Sequence, residues 1–187
     1  MIINGKSIEL IAEVKTLSPF GYKSKESWQE LFEIANKFGD IISIHTNERW
    51  GGSFELLERA KGLTNKPILA KGIHSMDYEI KKAIDIADYA LVVGRVPRVY
   101  LDRCLIEPES LEELGRIPKY CKVVWNSRNL SNGKLKTETF EQARDIWKGW
   151  LCQASNIRIG DDVKEGADAI LVGQHLREFV RSMGYEV

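Results

Sequence analysis

Eight short apolar, β-branched runs recur along the chain, and they constrain its fold more than any other feature. They read IELIAEV (8–14), IISIH (41–45), PILA (67–70), YALVV (89–93), RCLI (103–106), KVVW (122–125), WLCQA (150–154) and AILV (169–172). Most are too short and too uniformly apolar for half-exposed antiparallel strands. They suit strands of a parallel sheet covered on its outer face. Amphipathic helical patterns lie between several of them. SWQELFEIANKF (27–38) puts Trp28, Leu31, Phe32, Ala35 and Phe38 on one stripe. SFELLERAKG (53–62) begins at a Ser53 N-cap and ends at a glycine. SMDYEIKKAIDIA (75–87), TETFEQARDIWKGW (137–150) and QHLREFVRSMG (174–184) complete the set.

Strand–helix alternation implies right-handed βαβ units. Eight strands predict an α/β fold, a (β/α)8 TIM barrel forming a single domain over 1–187; an open doubly wound sheet fits the same coarse pattern. Such barrels typically need about 250 residues, and this chain has 187, so some outer helices must be short or absent. The segment GRVPRVYLD (94–102) has little room for a helix, and Pro97 opposes one. The fourth outer helix is therefore expected to be missing, and the fifth and seventh to be one or two turns long. A missing helix should leave apolar barrel flank open at Val92, Val96, Tyr100 and Leu101, so self-association through 94–102 is expected.

Lys+Arg and Asp+Glu are both 27. That balance argues against a general nucleic-acid binder. No apolar run approaches the roughly 20 residues of a membrane span, and MIINGKSIEL lacks the pattern of a secretion signal, so the expected location is the cytoplasm. Cys104, Cys121 and Cys152 form no CxxC pair and read as buried, reduced thiols. His45, His74 and His175 have no acidic neighbour at ligand spacing, so no metal is expected.

The chemical signal lies at strand C-terminal ends. Side chains alternate along a strand, so Ile11, Glu13 and Lys15 share a face. With Ile11 in the barrel interior, Glu13 and Lys15 reach its upper mouth. Lys71 ends the third strand, Glu107 the fifth and Asn126 the sixth, with Arg128 two residues further on. These groups converge on the face where barrel enzymes build their sites. Cations around two carboxylates can hold an anionic substrate. Lys71 is a candidate general acid, and Glu107 a candidate base raised in pKa by burial. A structural ion-pair network is the competing reading, and it makes opposite demands on mutants. If the cluster serves function, removing Lys71 or Glu107 should leave thermal stability similar or higher.

At these residues the sequence resembles the indole-3-glycerol phosphate synthase family. The matching stretches are IAEVKTLSP (11–19), ISIHTNERWGGS (42–53), PILAKG (67–72), LIEPESLEEL (105–114), VVWNSRNL (123–130), ASNI (154–157) and GADAILVG (166–173), in the family's order. The resemblance implies a (β/α)8 barrel. It implies a carbon–carbon lyase of tryptophan biosynthesis, which closes the indole ring of carboxyphenylamino-deoxyribulose phosphate with loss of carbon dioxide and water. It implies no metal or organic cofactor, and a small phosphorylated anion as the binding partner. By resemblance Lys71 is the general acid of ring closure and Glu107 the carboxylate of dehydration. Lys15 handles the anionic groups and shares in acid catalysis. Glu13 and Asn126 orient the lysines and bond substrate hydroxyls, Arg128 is a further polar group, and Ser18 lies in the first loop. Trp50 packs beside the substrate ring, with Gly51 and Gly52 allowing a tight loop. Ser155 and Gly173 lie in the loops after strands seven and eight.

Within the matching stretches the sequence departs from the family pattern at several positions. Gly72 and Ile73 stand where Asp-Phe is usual, Ala154-Ser155-Asn156 where Glu-Ser-Gly is usual, and Gln174 follows Gly173. His45 stands where an apolar residue is usual, and Asn47 where a glutamate is. His45 is either a satisfied polar residue of the barrel wall or a substrate contact. Two functions remain open: a synthase-like lyase, or a repurposed barrel that binds a ligand or partner without that activity.

Overall fold

The computed structural model describes residues 1–187, and its eight parallel strands close into a barrel. In chain order the strands are β1 (Glu9–Val14), β2 (Ile41–His45), β3 (Ile68–Lys71), β4 (Tyr89–Val93), β5 (Cys104–Glu107), β6 (Lys122–Asn126), β7 (Leu151–Ala154) and β8 (Ala169–Val172). Each pairs with the next, and β8 closes on β1 with Ala169 opposite Glu9 and Val172 opposite Ala12. The open doubly wound alternative is thereby excluded.

The period-two pattern divides two cores. Ile11, Leu69, Leu91, Leu105, Val124, Cys152 and Leu171 point inward and fill the barrel. Leu10, Ala12, Ile42, Ile44, Ile68, Ala70, Val123 and Ile170 point outward and pack under the helices. This explains why the strands read as unbroken apolar runs: both faces are buried.

The helices are α1 (Trp28–Phe38), α2 (Phe54–Leu63), α3 (Asp77–Ile84), α4 (Leu111–Arg116), α5 (Phe140–Ile146) and α6 (Leu176–Ser182). Side-chain caps set their starts. Ser27 and Glu30 form a capping box on α1, Ser53 caps α2, Ser110 caps α4, and Thr139 with Gln142 boxes α5. Each such cap is worth about 1 kcal/mol. The Thr139 cap starts α5 three residues later than the pattern from 137 suggests. Helix α2 runs through Gly62 and stops at Leu63, before an extended Thr64.

No α-helix follows β4 or β7; each connection carries only a 3-10 turn, Leu101–Arg103 and Gly160–Asp162 respectively. The fourth helix is missing as expected, and α4, the fifth in barrel position, is short; the seventh, expected to be one or two turns of helix, is reduced to the 3-10 turn, because the span from Ala154 to Ala169 is crossed by loop. Two polar side chains replace the absent helices. Arg103 donates to the carbonyls of Asp88, Ala87 and Ile84, which closes the end of α3. Gln153, outward on β7, donates to Asp162 O at 2.9 Å and accepts from Lys164 N at 2.8 Å. A loop lacks a helix's internal hydrogen bonds, so a buried amide must supply them.

One expectation fails here. The flank beside 94–102 is not laid open: Val92 is fully buried, and Val99 and Leu101 of the same segment fold back onto the outer core. Of the large apolar side chains of the segment, Val96 and Tyr100 remain exposed. The loop covers the flank because an extended segment needs fewer residues than a helix to cross it.

A hairpin unforeseen in the sequence reading precedes the barrel. Ile2–Ile3 pairs antiparallel with Lys6–Ser7 around Asn4-Gly5, both with positive φ. Asn-Gly is the signature of such a tight turn.

Candidate active site

The upper mouth of the barrel holds a cavity of about 460 Å³. Lys15, Ser18, Trp50, Lys71, Glu107, Asn126, Arg128 and Ser155 line it. A smaller space of about 60 Å³ adjoins it above β7 and β8, lined by Glu13, Lys15, Lys71, Arg128, Ser155, Gly173 and neighbours. All the site residues expected from the sequence therefore meet at one end of the barrel, each carried there by the inward face of its strand or the loop after it.

Two hydrogen-bonded pairs organise the floor. Lys71 Nζ donates to Glu13 Oε2 at 3.0 Å, joining β3 to β1 across β2. Asn126 Nδ2 donates to Glu107 Oε1 at 2.9 Å, joining the adjacent strands β6 and β5. Asn126 Oδ1 accepts from Ser155 Oγ at 2.6 Å and from Arg128 N at 3.0 Å, which fixes which way its amide points. Glu13 Oε1 is buried with no partner.

Burial and charge pull these groups apart in pKa. Burial alone would raise the Glu13 carboxyl, but Lys71 and then Lys15 outweigh it and hold it down at about 2. Burial raises Glu107 above the usual carboxylate range, with Lys71 and Asn126 only partly offsetting it. Burial lowers the Lys15 ammonium against the opposing pull of Glu13. One carboxylate fixed as an anion, one poised to take a proton and one ammonium poised to release it are the ingredients of acid–base chemistry.

The loops above the floor are tightly built. After β2, Trp50 stacks on His45 with ring centroids 4.9 Å apart and planes 4° from parallel. The turn brings Gly52 so close that a Cβ there would lie 1.8 Å from His45 O. A Cβ on Gly173 would lie 2.3 Å from Glu13 Oε2, so β8 passes directly over the ion pair only with glycine there. After β1, Ser18 N donates to Tyr22 O, and Ser18 Oγ accepts from Phe20 N at 3.2 Å, so that hydroxyl shapes its own loop. Phe20 rests on Gly133 of the loop after β6. After β7, Ser155 and Asn156 both take positive φ. Asn156 Nδ2 donates to Ser127 Oγ, and its Oδ1 accepts from Arg128 at 2.7 Å. Arg128 also donates to Gly133 O at 2.9 Å.

Leu91, Val93, Leu130 and Tyr22 also line the cavity and were not singled out by the sequence; with Ile73 the first three form the apolar part of the wall, and Tyr22 and Gln174 form part of the rim. Leu91 and Val93 were legible from the alternation on β4. Tyr22 and Leu130 were not, because loop geometry places them.

No protein-family model matches the chain. It is 27% identical to indole-3-glycerol phosphate synthase 1 of Streptomyces coelicolor over 203 residues, spanning 93% of this chain and 74% of that protein. It is 26% identical to the indole-3-glycerol phosphate synthase of Lachnospira eligens over 201 residues, 91% of this chain and 75% of that protein. With the same-named protein of Prochlorococcus marinus (strain MIT 9301) identity is 31% over 145 residues, 68% of this chain and 48% of that protein. The chain thus spans between about half and three quarters of the length of these relatives, and it resembles them as a divergent relative. Among solved structures, phosphoribosylanthranilate isomerase from Thermotoga maritima aligns with a TM-score of 0.67 at 10% identity, covering 96% of this chain and 100% of that one. Orotidine 5'-monophosphate decarboxylase from Methanocaldococcus jannaschii, complexed with inhibitor BMP, aligns at 0.57 and 13% identity, covering 92% and 95%. At such identities the likeness is of the barrel fold alone.

Proposed function

We propose that the chain is an indole-3-glycerol phosphate synthase-like lyase. Its substrate is carboxyphenylamino-deoxyribulose phosphate or a closely related anionic sugar derivative, and its products are the closed indole ring, carbon dioxide and water. The observation that carries this reading is the pairing at the mouth: Lys71 held by Glu13, and Glu107 held by Asn126, around one cavity.

Lys71 gives its proton to the sugar carbonyl oxygen as the ring carbon attacks. Glu13, kept anionic, aims that ammonium and does not itself titrate. Carbon dioxide then leaves, and the new hydroxyl departs as water. Glu107 takes up the proton released in dehydration, a role that suits a carboxyl raised by burial. Lys15, lowered by burial, faces the anionic groups and supplies a second proton. The apolar wall of Ile73, Leu91 and Val93 takes the aromatic ring, and Lys15 with Arg128 takes the phosphate.

A second reading is favoured by one observation. Arg128 already bonds Gly133 O and Asn156 Oδ1, and the space beside Gly173 is only about 60 Å³. A barrel that binds a ligand or partner without synthase activity would tolerate that crowding. Incubation of the purified protein with carboxyphenylamino-deoxyribulose phosphate, followed by indole fluorescence, separates the two. Turnover supports the lyase; none at high protein concentration supports the binding barrel.

A further inference from the structure

The proposed chemistry leaves the ring at the upper end of β2 unused. His45 is the last residue of β2, with its Cα in register with that of Lys71. The backbone N–H of Asn47 donates to His45 Nδ1 at 3.2 Å. A backbone amide can only donate, so Nδ1 carries a lone pair and a neutral ring keeps its proton on Nε2. The ring is neutral: burial, helped by the Lys71 charge, lowers its pKa to about 3. Nε2 makes no hydrogen bond within the protein. The Trp50 stack holds the plane of the ring. His45 is inward by strand parity, lines this cavity as well as a neighbouring one beside the loop after β3, and carries an unpaired, neutral N–H there.

The position of that donor says what it meets. Lys15 and Arg128 stand on the β1 and β6 side of the cavity, beside the space under Gly173. Trp50, Ile73, Leu91 and Val93 lie on the β2 to β4 side, with His45 among them. The cationic side suits the phosphate, and the apolar side suits a flat ring. An N–H facing a plain hydrocarbon edge loses its water without compensation. An oxygen on the ring supplies that compensation.

We propose that His45 is a specificity-determining residue whose Nε2–H bonds an oxygen carried by the aromatic part of the substrate. The preferred substrate is then a ring-oxygenated carboxyphenylamino compound. The identity of the ring rests on the function proposed above; the unpaired donor at the barrel mouth does not. The test uses ring fragments and needs no turnover. Dissociation constants of anthranilate and its 3-, 4- and 5-hydroxy derivatives are measured by calorimetry for the wild-type protein, His45→Leu and His45→Gln. One hydroxy derivative should bind the wild type about tenfold more tightly than anthranilate, the worth of one neutral hydrogen bond. His45→Leu should abolish that preference. His45→Gln, which keeps an N–H near the same place, should retain most of it and guard against a variant that merely misfolds. Equal ranking of the fragments by wild type and His45→Leu overturns the proposal, as does failure of every fragment to bind the wild type. A protein that turns over the unsubstituted substrate but shows no such preference keeps the proposed function and loses this inference. A His45-dependent preference without turnover does the reverse.

Discussion

The two mouths of the barrel are built from the same alternation and do opposite things with it. At the lower end the inward residues are Glu9, Tyr89 and Lys122, with Trp150 just before β7. Lys122 Nζ lies 5.3 Å from the ring centroids of both Tyr89 and Trp150. Burial raises Glu9, and the Lys122 charge partly offsets it. The charge there is wrapped in aromatic carbon. At the upper end the inward residues are Glu13, His45, Lys71, Glu107 and Asn126, and above them is open space of about 460 Å³. There Glu13 Oε1 and Ser43 Oγ are buried without partners, and His45 Nε2 is free. Polar groups left unsatisfied at one end and enclosed at the other mark which end is arranged for a ligand.

Each mouth can be emptied in turn. Lys71→Ala and Glu107→Gln should each lower turnover by about 10²–10⁴-fold, measured by indole formation. Lys71→Arg should not restore it, since a guanidinium does not release its proton near neutral pH. Lys122→Ala at the lower mouth should leave turnover unchanged. Comparable losses from Lys122 would erase the distinction between the two ends.

The same variants should separate in stability. Lys71→Ala strands the buried Glu13 carboxylate, and breaking such a pair costs roughly 3–5 kcal/mol, a fall in melting temperature on the order of 6–20 °C. This revises the expectation that removing either charge leaves stability similar or higher. It still holds for Glu107→Gln, which keeps the shape and removes a carboxyl that burial disfavours when ionised. Thermal melts of the two variants side by side check the difference.

A pH titration sharpens it further. The folded pKa of His45, about 3, lies below the unfolded value of 6.5. The stability tied to its neutral form is therefore complete above 6.5 and is lost as pH falls from there toward 3. His45→Gln should flatten the fall between pH 6 and 5 by on the order of 1–2 kcal/mol, read from urea midpoints. Glu107 works in the opposite sense. Its raised pKa means stability is greatest below the unfolded value and declines as pH rises through the folded one.

The smallest effect belongs to the lower mouth. Lys122→Ala forfeits two ring contacts, each worth about 0.5–1 kcal/mol, and should lower the melting temperature by a few degrees. An unchanged melting temperature would show that the aromatic wrapping is incidental.

The sequence alone determined the order of strands and helices, the inward or outward direction of each strand residue, and the loss of the fourth helix. Those features are local. Alternation, capping residues and Pro97 act over a few residues, so they survive in a string. It also put Glu13, Lys71, Glu107 and Asn126 on one rim, because parity and strand ends suffice for that. Which of them pair was decided only by the closed barrel. Lys71 joins Glu13 rather than Glu107, and Asn126 takes Glu107, because the stagger between strands sets heights that no single strand encodes. Tertiary packing also buried Val92 under its own loop, laid Phe20 on Gly133 and fixed the His45 proton on Nε2 through Asn47. Such contacts depend on where two distant stretches of backbone come to rest, which is settled by the register and closure of all eight strands together.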